Sequence, residues 1–440
     1  MTPMKRLLPL AALGALLAPA AAHAQNAPPA SLEDVGYIFT TLLYLMAGFL
    51  VFWMAAGFAM LEAGLVRSKN VTTQLLKNIG LFSIAAILYW LVGYGLMYPG
   101  DNWTVAGYLG SFFAPGALEP VGGAGAIDYA ATGSDFFFQL MFCATTASIV
   151  SGTLAERIKI WPFFAFVVVL TGFIYPIEAS WQWGGGWLSE LGFYDFAGST
   201  LVHAAGGFAA LAGAIVLGPR LGKYAKDGRV VPMPGSNLAL ATLGTFILWL
   251  GWFGFNGGSQ LAMGTIGDVT DISRIFANTN MAAAAGAIAA LTLTQAMYRK
   301  PDLTMVLNGA LAGLVSITAS PLEPSLFGAL WIGAVGGAIV VIVVPMLDKI
   351  GIDDVVGAIP VHLVAGFWGT MVVPVYAADA NFVTQAIGFA AIGAFTFAVS
   401  LVVWLVLRAT VGIRVGEDAE QRGLDTTELG MEAYPEFQLG

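Results

Sequence analysis

Repeated apolar segments constrain this chain more than any other feature of its sequence. A helix that crosses the hydrocarbon core of a bilayer needs about 20 predominantly apolar residues, and the sequence supplies eleven such segments. It therefore predicts an all-α polytopic membrane protein with eleven transmembrane helices. The predicted spans lie at about 35–64, 72–98, 134–154, 160–178, 197–218, 236–257, 274–298, 302–320, 325–346, 354–377 and 382–409.

The composition agrees with a membrane protein and excludes several other classes. Of the 440 residues, 58% are hydrophobic and 10% are charged, whereas a soluble domain carries about a quarter charged residues. The sequence contains no basic arm that could neutralise phosphates, so we expect no nucleic-acid partner. One cysteine, Cys143, excludes an intramolecular disulfide.

The sequence also argues against an enzyme, because no nucleophile, base and orienting acid share a loop.

The first residues resemble a secretory signal peptide. Lys5 and Arg6 precede an apolar run, and Ala22-His23-Ala24 has the form of an A-x-A cleavage site. We therefore predict a cleaved signal peptide at 1–24, a transmembrane domain at 25–410 and a C-terminal tail at 411–440.

Basic residues orient the predicted helices. Of the Lys and Arg residues after the signal peptide, 15 fall on alternate connections and the tail, and only Arg274 falls on the other side. The positive-inside rule then places the N-terminus outside and the C-terminus in the cytoplasm. We expect the membrane to be a bacterial inner (plasma) membrane. The 15 residues are Arg67, Lys69, Lys77, Arg157, Lys159, Arg220, Lys223, Lys226, Arg229, Arg299, Lys300, Lys349, Arg408, Arg414 and Arg422.

The two histidines that remain after cleavage lie in matching contexts. The segments from Asp195 to His203 and from Asp354 to His362 both read D-x-x-G-x-x-x-V-H, at the fifth and tenth spans. The chain therefore divides into two five-helix repeats and an extra eleventh helix. Because five is odd, the second repeat is inverted, an arrangement that places binding sites near the midplane in many transporters. The repeats cover about 35–218 and 236–377, and the eleventh helix about 382–409.

Both histidines should reach the middle of the membrane. Each follows its aspartate by eight residues, or about 12 Å of helix, which is nearly half of a hydrocarbon core of about 30 Å. An inverted repeat would then bring His203 and His362 together. Intramembrane ionisable residues mark functional sites, so we predict a functional pair. A two-histidine metal site is the alternative, but no third ligand is predicted at that depth, and we expect neither a metal nor a cofactor.

Asp195 is suited to two roles. An aspartate just before a helix often caps the free N–H groups of the first turn. Its charge could also attract cations beneath an outer vestibule, and the sequence leaves both roles open.

Glycine-rich and aromatic motifs recur along the chain. They are Gly64-Leu-Val-Arg67-Ser-Lys69-Asn70, Ser151-Gly-Thr-Leu-Ala-Glu156-Arg157, Trp183-Gly-Gly-Gly186, Trp249-Leu-Gly-Trp252-Phe-Gly-Phe255-Asn256-Gly-Gly-Ser259 and Gly412-Ile-Arg414-Val-Gly416-Glu417. With the two histidine segments, these motifs resemble the ammonium transporter (Amt/Mep/Rh) family over nearly the whole mature chain. Because it has Trp183 and Ser259 at these motif positions, the sequence resembles the Amt-type bacterial members rather than the Rh-type members.

The resemblance implies a fold and a set of partners. Family members have eleven spans in an inverted five-helix repeat, an outside N-terminus and a homotrimeric assembly in the lipid membrane with one pore per subunit. Ammonium and methylammonium are the implied substrates. A PII-type signal protein at the cytoplasmic face is the implied protein partner.

The resemblance also assigns the site residues. By motif position, Trp183, Ser259 and Phe142 form an outer ammonium-binding site, in which aromatic faces attract the cation. Phe142 and Phe255 match a stacked pair that gates the pore, and His203 and His362 match the pore histidines. Further lining or supporting residues are Phe138, Asp195, Trp252, Asn256 and Thr318.

Glu62 departs from the family pattern. It is either an inner-mouth residue or a helix-packing acid paired with Arg67, and we favour the second.

Together these residues predict a mechanism. NH₄⁺ is recruited outside, loses a proton near the phenylalanines, and passes the histidines into the cytoplasm as a neutral molecule, because the membrane centre penalises a bare cation. An ammonium sensor that signals through its tail is the alternative. A sodium-coupled symporter would need carboxylates near the midplane, and none is predicted at the depth of the histidines.

Overall fold

In this computed structural model, the structure describes residues 32–99 and 129–437. The predicted signal peptide at 1–24 and the acidic connection around Glu119 lie outside these ranges. The described part of the chain contains nine helices that are long and apolar enough to cross a membrane, and two shorter apolar helices. The long helices are α1 Asp34–Leu65, α2 Ser68–Met97, α3 Thr132–Thr153, α4 Ile160–Ser180, α5 Ser199–Leu217, α6 Leu238–Gly258, α7 Ile266–Tyr298, α9 Leu326–Lys349 and α11 Phe382–Thr410; the shorter ones are α8 Leu303–Ile317 and α10 Ile359–Val375.

These eleven helices occupy the eleven predicted positions, and the all-α polytopic fold is confirmed. We call the side on which α1 begins the N-terminal side of the bundle, and the side on which α11 ends the C-terminal side.

One predicted helix boundary and one predicted residue placement were wrong. α7 begins at Ile266 rather than near residue 274, because Thr265 and Asp268 form a capping box that starts the helix there. Arg274 therefore lies within α7, where its guanidinium donates to the backbone oxygens of Glu323 and Pro324. Lys77, predicted on a connection, is a buried residue of α2.

Helices α5 and α10 begin in the same way, as the inverted repeat requires. Each is preceded by a glycine with positive φ, Gly198 at 102° and Gly357 at 80°. Each opens with a wide π-helical turn that contains the histidine, at Ser199–Ala204 and Ile359–Val364. The repeat boundaries themselves remain a prediction.

Small residues let the helices approach closely. At Gly244 of α6, a β-carbon would meet the backbone of Gly57 and Leu61 in α1. Close backbone approach at glycine is how helices pack in a membrane, where lipid is as apolar as the side chains.

Buried ion pairs join the two repeats on the C-terminal side. Arg220, after α5, donates through Nε to Asp353, before α10, at 2.9 Å. Burial alone would raise the pKa of the Asp353 carboxyl, but the hydrogen bonds from Arg220 and the charges of Arg157 and Arg220 hold that pKa well below its usual range. The pair therefore remains ionised and clamps the two connections together.

The tail folds back against the same side. Val415 N donates to Arg157 O at 3.1 Å, and Lys159 N donates to Ile413 O at 2.9 Å. Further along, the Asp425 carboxylate accepts from the backbone N–H groups of Thr72 and Thr73 at the start of α2.

Candidate functional site

A cavity of about 220 Å³ opens on the N-terminal side of the bundle. Its walls are mostly aromatic, and all three predicted ammonium-binding residues contribute to it. The lining residues are Tyr94, Tyr98, Tyr129, Asp135, Phe138, Gln139, Phe142, Trp183, Phe196, Ser259 and Leu261. We call this space the N-terminal cavity.

Trp183 is held in the wall of this cavity by the chain itself. Its Nε1–H donates to the backbone oxygen of Asp195 at 3.0 Å, and its ring stands edge to face with Phe142 at 5.8 Å. The hydroxyl of Ser259 donates to Phe255 O at 2.8 Å. Because that bond uses the hydroxyl hydrogen, the Ser259 oxygen is left as an acceptor for an N–H group.

Phe142 lines the N-terminal cavity, and Phe255 packs behind it. The rings of Phe142 and Phe255 lie 4.2 Å apart between centroids, and both side chains are buried. We call them the phenylalanine pair. On its other side, the ring of Phe255 lies 5.2 Å from the ring of His203.

The structure brings the two predicted histidines into direct contact. His203 Nδ1 and His362 Nδ1 lie 3.2 Å apart, and both rings are buried. Since a hydrogen bond needs one donor and one acceptor, one Nδ1 carries the proton and the other does not. We call these residues the histidine pair.

A narrow cavity of about 10 Å³ adjoins His362. It shares Asn308 and Val356 with a larger cavity of about 360 Å³ that opens on the C-terminal side. The N-terminal cavity, the phenylalanine pair, the histidine pair and these two cavities are connected in that order by ring contacts and shared lining residues. The narrow cavity is lined by Phe58, Leu61, Glu62, Ser148, Ile149, Asn308, Leu311, Val356, Ala358, Val361 and His362.

Asp195 acts as a helix cap. Its two carboxylate oxygens accept from the backbone N–H groups of Gly198, Ser199, Thr200 and Leu201. Burial raises the pKa of this carboxyl to about 6, against the opposite effect of those four hydrogen bonds. The side chain is 1% exposed and does not line the N-terminal cavity. Of its two proposed roles, the geometry supports the cap.

Within residues 32–99 and 129–437, no group of three or more His, Cys, Asp or Glu is placed to hold a metal ion.

The sequence as a whole matches the model of the Ammonium Transporter Family over residues 42–434. The chain belongs to this family. The assignment confirms the resemblance seen in the motifs, and it confirms that the chain is a transporter-family protein rather than an enzyme.

Curated relatives agree with this assignment. "Ammonium transporter Amt2" of Archaeoglobus fulgidus is 41% identical, over 89% of this chain and 87% of that protein. "Putative ammonium transporter sll1017" of Synechocystis is 40% identical, over 95% of each chain.

Solved structures share the fold. One titled "Sensor Amt Protein" matches with a TM-score of 0.81 and 34% identity, covering 90% of this chain and 100% of that one. Mep2 of Candida albicans matches with a TM-score of 0.77 and 26% identity, covering 88% and 89%.

Of three predicted supporting residues, two lie at the histidine pair and one lies away from the cavities. Trp252 stacks on His203 with ring centroids 4.9 Å apart, and its Nε1–H donates to Thr318 Oγ1 at 2.8 Å. Thr318 therefore holds Trp252 against the histidine pair. Asn256 instead donates to Thr279 Oγ1 of α7 at 3.0 Å, so it ties α6 to α7 and does not line the described cavities.

The predicted partner of Glu62 was wrong. Arg67 pairs with Glu156, with Nε 2.6 Å from Oε2, because Arg67 lies beyond the end of α1 while Glu62 points inward at α2 and α3. The Glu62 carboxylate accepts hydrogen bonds from Gln74, Asn78 and Ser151.

Two carboxylates were missing from the predicted site. Glu62 shares the narrow cavity with His362, which corrects the expectation that no carboxylate lies near the histidines. A signal was present in the sequence, because Gln74, Lys77 and Asn78 have the i, i+3, i+4 spacing of one helix face. Asp135 lines the N-terminal cavity and accepts from the Tyr94 hydroxyl at 2.5 Å.

Proposed function

We propose that this protein transports ammonium from the outside, at its N-terminal side, to the cytoplasm at its C-terminal side. The observation that carries the proposal is the hydrogen-bonded histidine pair, which contacts Phe255 of the phenylalanine pair on one side and the narrow cavity on the other.

Recruitment would take place in the N-terminal cavity. The rings of Trp183 and Phe142 offer faces to a cation, an attraction of about 2 kcal/mol or more once water is removed. The Ser259 oxygen offers a hydrogen-bond acceptor. An ion that only donates hydrogen bonds, such as NH₄⁺, fits this combination.

The phenylalanine pair would then force the ion to lose a proton. Its rings carry no hydrogen-bond acceptor, and a bare cation in a buried apolar passage costs several kcal/mol. Neutral ammonia has no such penalty and can pass when the rings move.

The histidine pair would handle the proton. Each imidazole has one donor and one acceptor nitrogen, so a proton accepted by one ring can be released from the other. If the proton follows this route, transport is electrogenic; if it returns outside, the pore conducts neutral ammonia.

The setting of this activity also remains our proposal. It includes cleavage of residues 1–24, a homotrimer in the bacterial inner membrane, and a PII-type partner at the cytoplasmic face. The basic residues Arg220, Lys223 and Lys69 on the C-terminal side support this orientation, since cytoplasmic loops carry an excess of positive charge.

An ammonium sensor is the second candidate function. It is favoured by the similarity to the structure titled "Sensor Amt Protein" and by the tail, which contacts the start of α2 through Asp425. A sensor would bind ammonium tightly and transport it weakly.

The test is the current from proteoliposomes on a solid-supported membrane after an ammonium jump. A sustained current that a K⁺ jump does not produce supports electrogenic transport. A transient binding charge without sustained current, together with no ammonia uptake by stopped flow, would overturn transport and favour the sensor.

A further inference from the structure

A buried acid and a buried base lie beside the pore on the C-terminal side of the histidine pair. Glu62 of α1 and Lys77 of α2 are each 1% exposed. Gln74 joins them, since it donates to the Glu62 carboxylate and accepts from Lys77 Nζ at 3.1 Å. Apolar residues in place of buried ionisable partners are often neutral or stabilising, so packing alone does not explain Glu62 and Lys77. Ionisable residues inside a membrane generally serve function.

The pair is oriented with its negative member toward the pore. Glu62 lines the narrow cavity together with His362, whereas Lys77 does not. Lys77 Nζ donates to Ser151 O at 2.8 Å and lies 4.7 Å from the centre of the Phe163 ring. The positive charge is therefore directed away from the passage.

The Glu62 carboxylate is held by hydrogen bonds to only one of its two oxygens, and the other oxygen lies on the side of the narrow cavity. All three of its hydrogen-bond donors, from Gln74, Asn78 and Ser151, reach Oε2. Oε1 accepts none of these bonds and lies near Gly152, at a place where a β-carbon on Gly152 would touch both Oε1 and Val356, and Val356 lines the narrow cavity. Oε1 is thus placed to accept from a molecule in the cavity.

The narrow cavity suits a molecule of the size of water or ammonia. Its volume of about 10 Å³ is close to the minimum that holds one water molecule. Ser148 also lines it, and because the Ser148 hydroxyl donates to Ala144 O, its oxygen is available as an acceptor. Two acceptors, Glu62 Oε1 and the Ser148 oxygen, favour a guest that donates hydrogen bonds.

We propose that Glu62 is the anionic ligand of a second ammonium site, where ammonia that has passed the histidine pair is held as NH₄⁺ before release. This inference rests on the proposed function. The proton lost by NH₄⁺ above the phenylalanine pair is replaced here, either by one relayed through the histidine pair or by one from water in the larger cavity, which leaves hydroxide to the cytoplasm.

The test compares four variants with the wild type in reconstituted membranes. Glu62→Gln removes the carboxylate but leaves the Lys77 ammonium buried without an acid nearby, which could destabilise the fold. The double variant Glu62→Gln with Lys77→Met removes both ionisable groups and avoids this cost. Glu62→Asp retains the charge. Glu417→Gln, an exposed acid of the tail, is the matched control. Size-exclusion profiles and thermal melts establish that each variant is folded.

The binding measurement is infrared difference spectroscopy on exchange of K⁺ for NH₄⁺. We expect a carboxylate band that shifts with ammonium in the wild type, Glu62→Asp and Glu417→Gln, and is lost in the folded charge-removing variant. In the same variant the ammonium current should fall roughly tenfold or more, which is the change expected when a hydrogen bond to a charged group is lost.

The outcomes separate this inference from the proposed function. A wild-type spectrum and wild-type current in the double variant would overturn the second site and leave ammonium transport standing. Absence of both current and ammonia uptake in the wild type would instead overturn the transport proposal, while the spectrum would still report whether Glu62 binds ammonium.

Discussion

His203 and His362 share a hydrogen bond between their Nδ1 atoms, 3.2 Å apart, although 159 residues separate them in the chain. The two π-helical turns that carry them belong to oppositely directed helices, α5 and α10. Each ring satisfies the polar Nδ1 of the other, since a buried imidazole nitrogen without a partner would cost roughly 1–3 kcal/mol. The pair is therefore a single unit in both structure and expected function.

Alanine at either histidine should disrupt that unit. We expect a folded protein with a lower ammonium current or a new K⁺ current, because a water-filled gap can solvate an ion that the rings exclude. The double variant should resemble the single variants rather than the sum of their effects. Currents for both ions in all three variants test this, and strictly additive losses would show that the two rings act independently.

A substitution that weakens cation binding in the N-terminal cavity should change the ammonium concentration that gives half-maximal current more than it changes the maximal current. Trp183→Leu removes a cation–π partner, so the ammonium concentration for half-maximal current should rise about tenfold, as loss of between 1 and 2 kcal/mol implies. The maximal current should change less. Trp161→Leu, an exposed tryptophan outside the cavity, is the control. An unchanged concentration dependence for Trp183→Leu combined with Ser259→Ala would contradict the proposed site.

The Asp195 cap should give the protein a specific pH dependence. Its pKa is about 6 in the folded protein, above the value of about 3.9 in an unfolded chain. Between these values the folded state binds more protons than the unfolded state, so this group lowers the free energy of unfolding as pH rises from about 4 to about 6.

Thermal melts of the wild type and Asp195→Asn across that range test the assignment. The variant does not titrate at this position, so its melting temperature should depend less on pH. It should also be less stable overall, because one amide oxygen cannot serve four N–H groups. Parallel pH profiles for the two proteins would contradict the assignment.

Asp425 should anchor the tail to the bundle. Its carboxylate caps the start of α2 through Thr72 and Thr73, and loss of such a cap costs about 0.5–2 kcal/mol. In Asp425→Ala we expect faster tryptic cleavage after Arg414. Asp418→Ala, at an exposed position, should leave the cleavage rate unchanged. Equal rates in both variants would mean that this contact does not hold the tail.

Reporter fusions test the orientation. A fusion after Lys226 or in the tail should report the cytoplasm, and one near Glu190 the outside, because the basic residues concentrate on the first side. A cytoplasmic signal near Glu190 would reverse the proposed direction of transport.

The sequence by itself determined the helix count, the family and the approach of His203 to His362. These depend on signals that are local in the chain: apolar length, and a repeated D-x-x-G-x-x-x-V-H segment in helices of opposite direction. Neither signal requires knowledge of which face of a helix meets which neighbour.

Only the tertiary structure decided that Asn256 binds Thr279, that Arg67 pairs with Glu156, and that Glu62 faces the pore beside His362. Each depends on how a helix is rotated about its own axis. In a soluble protein an apolar stripe reveals that rotation, but helices in lipid are apolar on nearly every face, and their rotation is set by close packing against other helices. The rotation of α1, and with it the position of the Glu62 carboxylate, follows from contacts with α2, α3 and α6 that no single segment of the sequence contains.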